Sequence, residues 1–229
     1  PANAGAVFDG AAARAQQAVS DAAKQGAQLG ILVLDRETGQ QIASGQTASL
    51  VTASVAKLFI ADDLLTRQPN LPPADRAELE TMLRSSDDNA AEDFWNRNGG
   101  NAIITRVAAR YGLTGTSVPY DGHWWNTTTS ARDLVRYYDM LLSGGGGLPP
   151  AQANIIVNNL AQSTANGIDG YPQRFGIPDG LYGEPVAVKQ GWMCCVGSDW
   201  MHLSTGVIGP DRRYIMVIES LQPSDDNAA

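Results

Sequence analysis

Apolar residues recur at helical spacing from Ala6 to Gln25, where Phe8, Ala12, Ala15, Val19 and Ala22 share one face and Gly26 supplies a C-terminal stop. The run Leu29-Gly30-Ile31-Leu32-Val33-Leu34-Asp35 is apolar on both faces, which predicts a buried strand. Arg36-Glu37-Thr38-Gly39 then turns the chain into a second strand over 40–44. This hairpin leads to Thr52-Ala53-Ser54-Val55-Ala56-Lys57 and the apolar run Leu58-Phe59-Ile60-Ala61-Asp62-Asp63-Leu64-Leu65. The run predicts a mostly buried helix, with Thr52 as its N-cap and Ser54 in its first turn.

From Asp62 to Gln162 the pattern holds almost no strand signal. Pro72-Pro73 opens a helix to about Arg84, the polar break Asp87-Asp88-Asn89 caps a helix over 90–96, and Gly99-Gly100-Asn101 restarts the chain into a helix over 102–111. Ser130 with Asp133 predicts a capping-box start for the helix carrying Leu134, Tyr137, Tyr138, Leu141 and Leu142. Gly144 to Gly147 end it, and Pro149-Pro150 begin the next. After Gly167 a loop rich in Gly, Pro and aromatics gives way to strands over 185–189, 199–208 and 213–219.

Helix, two strands, a helical insert and three strands predict an α+β fold in two lobes. An antiparallel sheet with a flanking helix would be built from about 1–51 and 183–222, and an all-helical lobe from about 52–182. On this reading the 229 residues form one domain, Lys189 ends the third strand, and it faces the lobe that begins at Ser54.

Charge narrows the partners. A net charge of −8, with no run of Lys or Arg, argues against nucleic acid or an anionic membrane surface. No apolar segment approaches the roughly 20 residues of a membrane span. The two histidines, His123 and His202, sit in no ligand spacing, so neither metal nor cofactor is expected. The adjacent Cys194 and Cys195 leave two readings open, buried free thiols or a vicinal disulfide.

The candidate chemistry lies in Ser54-Val55-Ala56-Lys57. Three residues apart on a helix, hydroxyl and amine share a face, and the amine is placed to take the hydroxyl proton. The free N–H groups of a first helical turn favour the negative charge that an attacked carbonyl oxygen acquires. By itself this tetrad is a weak signal, because Ser and Lys are common residues.

Four segments in order strengthen it: Ser54-Val55-Ala56-Lys57-Leu58, Asp87-Asp88-Asn89-Ala90-Ala91, Asn126-Thr127-Thr128-Thr129 and Lys189-Gln190-Gly191-Trp192. Together they resemble the serine β-lactamase and penicillin-binding protein superfamily, class A β-lactamases most closely, and the likeness spans nearly the whole chain. They match its nucleophile helix, Ser-Asp-Asn loop, omega-loop exit and Lys-Thr-Gly strand. The resemblance implies Ser54 as nucleophile, Lys57 as proton acceptor, Lys189 as a positive charge opposite, Asn89 positioning an amide, and backbone N–H groups of Ser54 and Trp192 as oxyanion hole. It also implies Asp87, Gln190 and Gly191 at the substrate.

Three departures accompany it. Asp87 stands where the family has a relay serine, the nearest serine being Ser86; a carboxylate donates no hydrogen bond unless protonated. Gln190 replaces a hydroxyl residue that helps bind substrate carboxylate. The deacylating glutamate has no counterpart, for Asp121 is the one acid between Gly112 and Thr127. Asp121 reads more simply as a turn residue, His123 as structural or exposed, and Trp124 and Trp125 as core residues rather than a stacking platform for a ring. The family's C-terminal helix is missing too.

The expected protein is thus an exported, monomeric homologue, lipid-anchored through a segment upstream or secreted, that binds or is slowly acylated by peptidoglycan stem peptide or a β-lactam. Two alternatives stand beside it: an inactive cell-envelope binding protein, and a slow esterase or carboxypeptidase.

Overall fold

A computed structural model describes residues 4–46 and 49–223, with side chains from Gly10 onward. The side chain of Phe8 and the tail 224–229 lie outside the described residues. Helix α1 (Ala4–Lys24) precedes strands β1 (Gln28–Asp35) and β2 (Gln41–Gly45). With β5 (Val186–Val196), β6 (Asp199–Ile208) and β7 (Tyr214–Gln222) they form an antiparallel sheet in the order β2-β1-β7-β6-β5. The first and last parts of the chain therefore share one sheet, and β5 is its edge beside the helices.

The helices are α2 (Ala56–Arg67), α3 (Pro73–Arg84), α4 (Asp88–Arg97), α5 (Asn101–Tyr111), α6 (Ala131–Ser143) and α7 (Pro150–Leu160). Helix α2 is their axis: every residue from Ala56 to Leu65 is buried. Burying Leu58, Phe59, Ile60, Leu64 and Leu65 stabilises the fold by roughly 1.5–3 kcal/mol each. The two acids in the apolar run need partners, and α5 and α6 supply them. Asp63 receives a two-pronged ion pair from Arg106, and Asp62 receives Arg110 and the hydroxyls of Tyr111 and Tyr137.

Local structure departs from the sequence pattern at four places. Thr52 does not cap α2; its hydroxyl donates to Ala53 O, and a 3-10 turn, Ala53–Val55, precedes the helix and carries Ser54. Ser130 Oγ accepts from Asp133 N at 3.1 Å, but the Asp133 carboxylate takes Gly115 N and the Thr116 hydroxyl, so no reciprocal capping box closes. A two-residue strand β4 (Thr128–Thr129) pairs with β3 (Leu50–Val51) inside the otherwise helical middle. Strand β5 does not end at Lys189 but runs on to Val196, because Gly191, Trp192 and Met193 pair with Leu203, His202 and Met201.

Helix α1 lies against β1 and β2 on the sheet face away from the helices. The short helix α8 (Ile177–Gly180) lies against β5 and β6. Between these two covers a groove of about 910 Å³ remains, floored by Ile31, Met216 and Ile218. Strand β7 is the last element among the described residues. Among those residues no helix is long and apolar enough to cross a membrane, and no cluster of His, Cys, Asp and Glu is fit to hold a metal.

Candidate active site

Ser54 and Lys57 meet as their spacing requires: Lys57 Nζ lies 2.8 Å from Ser54 Oγ. The 3-10 turn places Ser54 at the lip of the helical layer, 9% exposed, and the first turn of α2 buries Lys57 completely. Ala53, just before the nucleophile candidate, has φ 45°, a left-handed conformation that costs a non-glycine residue energy. Ser86 has φ 57°. Two of the three described non-glycine residues with positive φ thus bear on one site.

Ser86 is the residue the sequence pattern misplaced. Its hydroxyl oxygen lies 2.9 Å from Lys57 Nζ and 3.0 Å from Lys189 Nζ, and its carbonyl takes a further bond from Lys57 at 2.7 Å. Asp88 reaches Lys57 Nζ at 2.5 Å. The motif therefore begins one residue earlier, as Ser86-Asp87-Asp88. A serine hydroxyl thus stands between the two lysines, with an aspartate two residues on beside Lys57.

That register corrects two expected roles. Asp87 faces no substrate: its carboxylate caps α4, accepting from Asn89 N at 2.9 Å and Ala90 N at 3.3 Å. Asn89 lies exposed on α4 and does not line the depression over Ser54. The signal that could have found Ser86 was the cap itself, since an aspartate followed by a helix explains Asp87 without chemistry.

Lys189 enters from β5 and is 1% exposed. Besides Ser86 it donates to Gln190 O at 3.1 Å. Burial, with Lys57 close by, pushes its pKa well below the usual lysine value. Burial also lowers the Lys57 pKa, opposed by the Asp88 carboxylate. Successive strand residues face opposite ways, so Gln190 points away from the site and donates to Gln173 O at 3.0 Å and Phe175 O at 2.6 Å. It anchors the loop before α8 and is not at the substrate. Gly191 has no room for a side chain: a Cβ there would lie 2.7 Å from Thr52 O, so the glycine lets β5 close onto the Ser54 turn.

Over Ser54 lies an open depression of about 140 Å³, walled by Asp88, Trp124, Trp125, Asp169, Trp192 and Met193. Trp124 is buried beside Lys57, whose Nζ lies 4.8 Å from the ring centre, and its indole N–H donates to Glu92 at 3.0 Å. Trp125 stacks on His123. The tryptophans are thus core and site wall at once. Asp121 accepts from His123 N and the Asn126 amide, closing an exposed turn, and does not line the depression. Asp169, which sequence reasoning did not single out, does line it, on a loop whose Tyr171 stacks on Trp192 at 4.8 Å. Next along β5, Cys194 and Cys195 are joined in a vicinal disulfide.

No protein-family profile matches the chain. Among solved structures it is similar to a β-lactamase from Streptosporangium roseum, with TM-score 0.74 and 17% identity over 93% of this chain and 91% of that one. A β-lactamase from Chitinophaga pinensis gives 0.72 and 16% over 93% of both chains. The β-lactamase from Streptomyces albus G gives 0.69 and 19% over 93% of this chain and 92% of the other. Identities this low carry the fold alone. Sequence carries more: the chain is 66% identical over 220 residues to the protein named "Putative lipoprotein LppW" in Mycobacterium tuberculosis and in Mycobacterium bovis, covering 94% of this chain and 70% of each relative. With that identity along that share of both proteins, the chain belongs to the LppW lipoprotein family, and its fold is that of the serine β-lactamases.

Proposed function

We propose that the protein is an exported, monomeric serine acyl-transfer protein of the β-lactamase and penicillin-binding type, closest to class A in its motif order. Its Ser54 is acylated slowly and its acyl-enzyme persists. A lipoprotein relative supports a place in the cell envelope, held by a lipid on a segment upstream. The observation that carries the chemistry is the 2.8 Å contact between Lys57 Nζ and Ser54 Oγ in a buried site that depresses the lysine pKa.

In this reading neutral Lys57 takes the hydroxyl proton as Ser54 Oγ bonds to the substrate carbonyl carbon. The carbonyl oxygen becomes an oxyanion held by the backbone N–H groups of Ser54 and Trp192. Collapse breaks the bond to the leaving group, which takes its proton from Ser86 Oγ; Ser86 is reprotonated by Lys57 or Lys189. Deacylation is the weak step. Hydrolysis needs a base beside a water, and the place next to Lys57 is filled by the Trp124 indole. By likeness of fold the acyl donor is a peptidoglycan stem peptide, a β-lactam or a simple ester.

The Asp88–Lys57 ion pair favours a second reading, a binding protein in the cell envelope whose Lys57 stays an ammonium and whose Ser54 never reacts. A fluorophosphonate serine probe followed by intact-protein mass spectrometry separates the two. Labelling of the wild type that is lost in Ser54→Ala supports the first reading. An unlabelled wild type that also fails to turn over penicillin and ester substrates supports the second.

A further inference from the structure

We propose that the depression over Ser54 selects acyl donors carrying a positive charge, an ammonium or guanidinium group, and disfavours those that end in a carboxylate. This rests on the reading of Ser54 as nucleophile and, among the acyl donors named for it, favours a cationic ester over a stem peptide or a β-lactam, both of which carry a carboxylate. The exposed walls of the depression include two carboxylates, Asp88 and Asp169, and the half-buried indoles of Trp125 and Trp192, with Trp124 buried behind them. Acid and aromatic surfaces together attract cations, the first by charge and the second by the negative face of the ring.

Groups that would receive a carboxylate are withdrawn. Lys189 is 1% exposed and does not line the depression, and Gln190 spends its amide on the carbonyls of Gln173 and Phe175. Lys57 is buried to 0% exposure and already paired with Asp88. A substrate carboxylate would therefore meet two fixed negative charges with no free cation among the lining residues.

The acidic wall is built into the fold. Asp169 is held by accepting Tyr171 N at 2.9 Å, and Tyr171 lies flat on Trp192 with 12° between the rings. A Cβ on Gly167 would come within 2.7 Å of Asp169 Oδ1 and 3.2 Å of Trp192, so the glycine lets carboxylate and indole stand side by side without displacement. Asp169 is the specificity residue of this arrangement. Unlike Asp88, it makes no ion pair with Lys57, although its charge acts on both lysines from a distance, so binding of a probe rather than acylation rate reads its role most cleanly.

Two measurements on the whole protein test this. In the first, tryptophan fluorescence is titrated with benzyltrimethylammonium and with phenylacetate. The cation is expected to bind at least about tenfold more tightly. Asp169→Asn is expected to remove most of that preference and Asp169→Glu to keep it. Equal affinities, a preference for phenylacetate, or an unchanged preference in Asp169→Asn would overturn the proposal. In the second, Ser54 acylation is timed with p-nitrophenyl esters of 6-(trimethylammonio)hexanoate, heptanoate and pimelate, none of which closes readily on its own ester. The order cation, neutral, anion is expected. Acylation at equal rates by all three would sink this proposal and leave the Ser54 reading standing. Cation-selective binding without any acylation would sink the Ser54 reading and leave the selectivity of the depression established.

Discussion

Asp88 holds a carboxylate oxygen 2.5 Å from Lys57 Nζ. A neutral amide there would leave burial, which favours the free amine, opposed only by the weaker pull of Asp87 and Asp169. A carboxylate restores part of the ammonium's stability. The exposed Asp88 side chain, 68% accessible, is screened by solvent, so burial dominates and the lysine pKa stays depressed.

Asp88→Asn is therefore expected to speed acylation. The rate should rise with pH through the Lys57 pKa and level off above it, since only the neutral amine accepts the Ser54 proton. Removing the carboxylate lowers that pKa further and moves the rising limb to lower pH, giving about a three- to tenfold gain at neutral pH. A pH profile of fluorophosphonate labelling for both proteins checks this; a limb shifted upward in the variant would contradict it.

Ser86 and Asp87 exchange the roles that the sequence pattern assigned. Ser86→Ala should cut acylation about 100-fold by removing the hydroxyl between the two lysines. Asp87→Ala should lose about 1 kcal/mol of stability with the α4 cap, and Asn89→Ala should change labelling less than threefold. Labelling rates and urea midpoints of the three variants decide the register.

Gly191→Ala forces a methyl to 2.7 Å from Thr52 O and 3.2 Å from Val55 Cγ2. The Ser54 turn must move to admit it. Misplacement of a nucleophile by about 1 Å costs on the order of 100-fold in rate. A variant that still folds cooperatively but labels at the wild-type rate would show that contact between β5 and the turn does not position Ser54.

Stability should fall in acid for a reason far from the site. Arg213 donates two hydrogen bonds to the Asp35 carboxylate, holding its pKa at about 2. A carboxyl depressed on folding contributes stability above its unfolded value of about 3.9 and loses it as pH falls through the folded value. Between pH 4 and pH 2, with the carboxylate buried at the end of β1, the loss is about 1–2 kcal/mol. Urea midpoints against pH for the wild type and Asp35→Asn measure it; the variant should show a shallower fall over this range.

The pairing of Ser54 with Lys57 was legible because it is local: three residues apart, they lie on a 3-10 turn and the first turn of the buried helix that follows it. The sheet was legible because its strands are apolar and its turns rich in glycine. What failed was register. Asp87 and Ser86 are neighbours, and only the left-handed backbone at Ser86 turns that hydroxyl toward two lysines from distant elements. Gln190 was misassigned because the strand was expected to stop at Lys189; once β5 continues, alternation sends Gln190 to the opposite face. Asp169 carries no sequence signal, since its place depends on how the loop stacks Tyr171 on Trp192.

The most direct test of the account is the lifetime of the acyl-enzyme. Intact-protein mass spectrometry, sampled through a chase after brief exposure to an activated ester, follows one acyl group on Ser54. The account predicts a single adduct, absent from Ser54→Ala, that outlasts the chase because no base activates water beside Trp124. Rapid ester turnover with no adduct accumulating would contradict it, as would an acyl group carried on any residue other than Ser54.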